Sequence, residues 1–600
     1  MEPQDPYNLF TRRRPGQPFI PDVTLNDPAS RKIKVITIGA GLCGIMNAYN
    51  IQKECSNVEH VVYDKNPDLG GVWYENTYPG VACDVPSHAY SFHFAPNADW
   101  PKFLSPGKDI WNYFDQVATV FKLRKYMKFN TEVISATWNE KKSRWYVKIK
   151  DHTILGEDAE SEDWCDVLLY ATGLLNNWKW PHVEGRELFK GRVIHSANWP
   201  KDFQAEQWKD QRIAVVGSGA SSIQVVPALQ PYVMHLDVFV RSAVWFVQLV
   251  EGYPQDYAYT PAERKKFREH PEQLVKHVKY FEDQLNGKWD VMFKGSQFQE
   301  FAQKKFKARM RKFIKDDRLF EGFTPKWSYG CRRVTPGDPY ISAIQKPNVD
   351  VHFTPLATIT RDGVIGGDGI FREVDTIICA TGFDVSFKPR FPIVGRNGVS
   401  LNDKWDKAPL SYFGVTVPDM PNFMVHGGPP SPLQNGTPLG FFHALGDYAI
   451  QMIKKIQFED LKSVEPKKDV TRNFGEHCQA WVKESVFSDD CNSFYKDAGP
   501  ELSSMYAGSV LHYREMLKNV RWEDYHIQYR DPSHMWAFMG NGFTLPQKLP
   551  DMDLSPYIEE KKIDPEWITA LQSGKGIRKP VLKIGGPRPR DMVNGVNGVH

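Results

Sequence analysis

Two stretches of this chain share one pattern: a β-branched apolar run leads straight into glycines and is followed by residues at helical spacing. The first run is Ile33 to Ile38, and Val58 to Tyr63 follows as the next predicted strand. Ile110, Tyr113, Phe114, Val117, Val120 and Phe121 recur at helical intervals and predict a helix over 109–127. Trp145–Ile149 and Val167–Ala171 read as strands, the latter running into Ala171-Thr172-Gly173. The second phrase opens at Ile213–Val216, with Val238-Phe239-Val240 as its next strand. After Val244 the pattern changes. Residues 261–316 are dense in Lys, Arg and Glu, with Phe298, Phe301, Phe306, Met310 and Phe313 near helical intervals, which predicts a helical insertion. A strand returns at Thr376–Ala380, followed by Thr381-Gly382.

The glycines carry the chemistry. Gly39-Ala40-Gly41-Leu42-Cys43-Gly44 stands between a strand and a helix, the context in which GxGxxG binds a dinucleotide. The first glycine permits the tight turn, the second admits a pyrophosphate, and the third lets helix and strand pack closely. Asp64 ends the next strand, where a carboxylate can accept hydrogen bonds from a ribose. Gly217-Ser218-Gly219-Ala220-Ser221-Ser222 repeats the motif with Ser222 in place of the third glycine. Its next strand runs into Arg241-Ser242 rather than a carboxylate, and a cation there favours the 2′-phosphate of NADPH over NADH. Two sites of different type imply a flavin, FAD, and a nicotinamide, NADPH, with hydride passing between them.

Six hundred residues are too many for one core. The reading is an α/β protein with two Rossmann-like dinucleotide-binding domains, the second with a helical insertion. The expected boundaries are an N-terminal extension over 1–30, the first part of the FAD domain over 31–178, and the NADPH domain over 179–384 with its insertion at about 250–328. Residues 385–600 complete the FAD domain and add a C-terminal extension. With 75 Lys plus Arg against 72 Asp plus Glu, no basic stripe points to nucleic acid. No run approaches the ~18 apolar residues of a membrane helix. No secretory signal is evident, no obligate protein partner is indicated, and the expected location is cytoplasmic. The eight cysteines are scattered without CxxC spacing, which argues against structural zinc and a redox dithiol, leaves no metal site, and fits a reducing compartment. The 18 Trp and 36 Phe either fill cores or line a pocket for a large apolar substrate.

Phe189-Lys190-Gly191-Arg192-Val193-Ile194-His195-Ser196-Ala197-Asn198-Trp199-Pro200 has the pattern FxGxxxHxxxWP, and residues 70–84 read GGVWYENTYPGVACD. Through these segments the sequence resembles the Baeyer–Villiger monooxygenases, over about residues 33–450. The resemblance implies that FAD, NADPH and O₂ convert a ketone, bulky and apolar in the branch that this chain is most similar to, into an ester or lactone through a flavin C4a-peroxide. It implies that Arg333 and Asp84 are the catalytic pair and that Arg332 also grips the NADPH phosphate. The cofactor contacts are completed by Val72, Trp73, Tyr78 and Tyr90, and by Ser221 and Gln224. Phe189, Gly191, His195 and Trp199 are implied to belong to the linker that couples domain movement to turnover. Ser493-Phe494-Tyr495 stands where many members have a Trp-Tyr pair near the substrate, and the tail from Trp522 is longer than in the smaller members. Three other readings remain open: an N- or S-oxygenating flavin monooxygenase, an NADPH-dependent disulfide reductase, and a non-catalytic flavoprotein.

Overall fold

The computed structural model describes residues 16–574 apart from 408, 434, 494 and 497–503. Its first sheet has five parallel strands in the order Phe423–Val425, Val167–Tyr170, Ile33–Ile38, Val58–Tyr63, Met127–Lys128. The central strand Ile33–Ile38 is covered on both faces, which is why it reads as an almost unbroken apolar run. Ile33 and Val35 face the long helix Pro438–Phe458 in one core. Ile36 and Ile38 face Trp138 and Trp145 in another. Those tryptophans belong to a mixed sheet in which Thr131–Asn139, Arg144–Asp151 and Glu160–Cys165 run antiparallel and Ile393–Val394 pairs in parallel with Thr131–Asn139. Of its strands the apolar pattern predicts only the segment around Trp145–Ile149, because the others carry polar residues on an outer face.

The second sheet is also five-stranded and parallel, in the order Val349–His352, His235–Phe239, Arg212–Val216, Thr376–Cys379, Arg192–His195. In both sheets the strand that enters the glycine loop is flanked on one side by its successor. On the other side lies a strand reached by a long crossover, so each sheet has a topological switch point at that loop.

One expectation is corrected here. The helix predicted to 127 ends at Val120, because Lys122 adopts a left-handed conformation (φ 55°) and the chain continues as a 3-10 turn. Arg192–His195 of the FxGxxxHxxxWP segment pairs with Thr376–Cys379 as the edge strand of the second sheet. In the insertion, helix Gln297–Phe313 buries Gln299, Ala302 and Met310, while Phe298 and Phe301 are 59% and 65% exposed. The insertion is helical as expected, and of the spaced residues Phe306 and Met310 lie on the packed face.

Residues 1–15 of the expected N-terminal arm lie outside the described residues. The rest lies against the C-terminal extension, where the Leu25 N–H donates to Phe543 O at 2.9 Å and the Asn541 side chain donates to Asp22 at 2.7 Å. Among the described residues, no helix is long and apolar enough to cross a membrane.

Candidate active site

The two glycine loops are built alike. Gly39 has φ +105°, and a Cβ added there would stand 2.6 Å from the carbonyl oxygen of Ala171. Gly217 has φ +124°, and its Cβ would stand 2.4 Å from the carbonyl oxygen of Ala380. Each Ala-Thr-Gly turn thus presses against a glycine loop at the switch point of its sheet, and no side chain fits between them. Helices Leu42–Glu54 and Ala220–Leu229 begin after Gly41 and Gly219, and neither has a side-chain cap. Their first amides remain open to an anionic group. Asp64 follows the strand Val58–Tyr63. Its carboxylate accepts from the Ala40 N–H at 2.7 Å and the Asn66 N–H at 2.8 Å, which holds the first loop in place. Burial pushes its carboxyl pKa up, and each oxygen keeps a second lone pair for a ribose hydroxyl.

Both loops open into one cavity of about 1120 Å³. The segment 70–84 crosses from one to the other. Val72 and Trp73 lie in its short helix, and the Trp73 indole donates to the Tyr90 hydroxyl at 3.1 Å. The Tyr78 hydroxyl donates to Gln224 Oε1 at 2.7 Å, and Gln224 donates on to Ala82 O at 2.9 Å. This chain of bonds docks the first glycine unit on the helix of the second.

Beyond it lies the charged pair. Arg333 donates to Asp84 Oδ1 at 3.0 Å and is hydrogen-bonded to the buried hydroxyl of Tyr495. The Asp84 carboxylate raises the Arg333 pKa, so the guanidinium holds its charge at every working pH. Arg332 points the other way and donates to the carbonyls of Ser242 and Ala243 at 3.3 and 3.1 Å. Burial, and the like charge of Arg241, lower its pKa to about 10. Two cations are therefore set side by side at the strand tip of the second unit, an arrangement that fits the extra phosphate of NADPH.

Of the residues expected from the sequence, Gly39, Gly41, Asp64, Val72, Trp73 and Tyr78 line this cavity, as do Asp84 and Tyr90. So do Gly217, Gly219, Ser221, Gln224, Arg241, Ser242, Arg332 and Arg333. Gly44 does not, consistent with its packing role: its Cβ would stand 2.0 Å from Gly39 O. Ser222 is a correction. It occupies the equivalent packing position, fully buried, and is not among the lining residues. Phe189, Gly191, His195 and Trp199 also lie off the cavity. His195 is buried and stacks on Trp178 (centroids 4.8 Å apart) and meets Trp180 edge-on, and Trp180 lines the cavity. Burial lowers the His195 pKa to about 4, so it is a neutral wedge behind that wall.

Reading the sequence missed several lining residues: Trp180, Leu433, Asn435, Phe441, Phe442 and Asn492. The Trp178-Lys179-Trp180 repeat was a visible signal for the first; the rest come from distant segments with no motif. The structure also pairs two of the scattered cysteines. Cys331 and Cys491, 160 residues apart, form a disulfide with Cα atoms 6.3 Å apart, and the other six are free. Scattered spacing conceals a bond that only tertiary proximity creates.

Residues 31–397 match the family described as flavin-binding monooxygenase-like. The chain is 49% identical to "FAD-binding monooxygenase moxY" of Dothistroma septosporum, over 90% of this chain and 87% of that protein. It is 31% identical to a Baeyer-Villiger monooxygenase of Streptomyces coelicolor, over 84% of this chain and 94% of that one. Its fold is similar to that of cyclohexanone monooxygenase from Rhodococcus sp. Phi1 bound to NADP+, with a TM-score of 0.71 and 24% identity over 83% of this chain and 99% of that one. With a match over more than half its length, the chain belongs to the flavin-binding monooxygenase-like family.

Proposed function

We propose that this protein is an FAD- and NADPH-dependent Baeyer–Villiger monooxygenase that converts a bulky, apolar ketone into an ester or lactone. The observation that carries this reading is the Arg333–Asp84 pair, which stands on the cavity shared by two glycine loops of different preference. The first loop and Asp64 suit FAD. The second loop, Arg241 and Arg332 suit NADPH. The bound flavin, once reduced by NADPH, supplies the chemistry that activates dioxygen and delivers one oxygen atom to the ketone.

The chain's own residues then have distinct tasks. Asp84 and Tyr495 fix the Arg333 guanidinium in direction. Arg333 offers a permanent cation to the ketone oxygen, which takes on negative charge when its carbon is attacked. Trp180, Leu433, Phe441 and Phe442 give the cavity apolar walls that exclude water and favour a large hydrocarbon skeleton. An N- or S-oxygenating enzyme needs no fixed cation over a carbonyl, so the pair favours the ketone.

The decisive experiment incubates the FAD-loaded protein with NADPH, air and a panel of cyclic, linear and steroidal ketones. The expected product carries one more oxygen atom as an ester or lactone. Oxygenation of amines or thioethers with no ketone converted would overturn the reading.

A further inference from the structure

We propose that the Cys331–Cys491 disulfide is a positioning clamp that fastens residues 489–493 to the arginine loop, so that Tyr495 and Asp84 hold Arg333 jointly. The inference rests on the reading of Arg333 as the cation at the reacting centre.

Arg333 stands two residues after Cys331, and Tyr495 four residues after Cys491. The bond therefore ties together the two short segments whose side chains meet at the guanidinium. Polar contacts run beside it. Asp489 accepts from the Ser328 N–H at 2.8 Å and pairs with Lys294 at 2.7 Å. Tyr495 is buried in a small core with Phe487, Val486 and Met505. Asn492 and Ser493, between the clamp and Tyr495, line the cavity. The sulfurs are buried, and neither cysteine is among the lining residues, so they do not face the cofactor space as an exchanging dithiol would.

The charges explain the need for a clamp. The loop carries Arg332 and Arg333 together, and Arg332 is already set against Arg241. Like charges push such a loop outward. Without a covalent tie, non-covalent contacts alone must hold two segments separated by 160 residues. Small errors in aim matter for a group that must meet a developing charge.

The test compares the holoenzyme as wild type, as Cys331→Ala/Cys491→Ala, as Tyr495→Phe, and as the triple variant. Alkylation of the denatured, unreduced wild type should leave both cysteines unlabelled until dithiothreitol donates two electrons and two protons, splitting the S–S bond into two thiols and becoming a cyclic disulfide itself. In the double-cysteine variant, amide exchange over 331–335 should rise at least ~5-fold while the first glycine loop stays unchanged. Product formed per NADPH should fall at least ~3-fold, with NADPH-driven flavin reduction within about 2-fold of wild type, and the triple variant should be no worse than the poorer of its two parents. If the cysteine variant fails to fold, dithiothreitol-treated wild type gives the same readouts. Free thiols in the wild type, unchanged exchange and coupling after cleavage, or fully additive losses would each overturn the proposal. If wild type oxygenates no ketone, the proposed function fails, but alkylation and exchange still judge the clamp.

Discussion

Arg333 and Asp84 lie 249 positions apart in the chain, and each meets the other only because segment 70–84 docks on the second glycine unit. A guanidinium so held keeps its charge and its direction, which a lysine on a flexible stem does not. Arg333→Ala is expected to leave flavin reduction by NADPH nearly intact, while ester formation falls by at least ~100-fold, the usual cost of removing a preorganised charge donor. Stopped-flow absorbance of the flavin and product analysis read the two steps separately. Arg241 serves a different group. Arg241→Ala should raise KM for NADPH by ~10- to 100-fold, as expected for loss of a charged hydrogen bond, and leave KM for NADH almost unchanged. Equal effects on both nucleotides would deny it a role at the 2′-phosphate.

At the scale of elements, the glycine loops divide into positions that serve the fold and positions that serve the ligand. Gly39 has positive φ and no room beside Ala171 O, so Gly39→Ala should destabilise the apoprotein by about 1–3 kcal/mol and weaken FAD binding as well. Gly41 has only ordinary contacts around its added Cβ, with the nearest atom at 3.5 Å. Gly41→Ala should therefore leave apoprotein melting close to wild type but weaken FAD binding, measured by titration of the stripped protein. Such loops were legible in the sequence because strand, glycines and helix are contiguous there, and Ile33–Ile38 and Val58–Tyr63 match the structure at both ends. The polar-faced strands of the four-stranded mixed sheet were not legible, since their pattern reflects the faces that they present in the fold. Nor were Phe441, Phe442 and Asn492, which reach the cavity through packing rather than motif. Ser222 shows the limit of motif transfer: the position was recognised, but the residue in this packing slot is fully buried and does not line the cavity.

For the whole molecule, buried neutral histidines set the response to acid. Burial lowers His93, His195, His277 and His426 to about 4 and His60 and His443 to about 3, from an ordinary 6.5. The unfolded chain takes up these protons below pH 6.5, whereas the folded chain resists until about 4 or lower. Each proton bound in that window favours unfolding. Stability should be full above pH 6.5 and fall steadily toward pH 4, by on the order of 1 kcal/mol per buried histidine at pH 5.5. Urea midpoints measured from pH 8 to 4.5 should show this slope, and a flat profile would contradict it.

The order of strands in the first sheet also governs how the molecule is made. Its central strand ends at Ile38, but its outer strand Phe423–Val425 and the covering helix Pro438–Phe458 come from far later in the chain. At ~5–20 residues per second, the ribosome leaves the sheet waiting for tens of seconds before the strand that completes its edge beside Val167–Tyr170, and the covering helix, emerge. All five strands of the second sheet fall between Arg192 and Cys379, so that unit can close on itself first. Flavin capture is thus expected late in biogenesis, with an open apolar edge on the nascent protein until then.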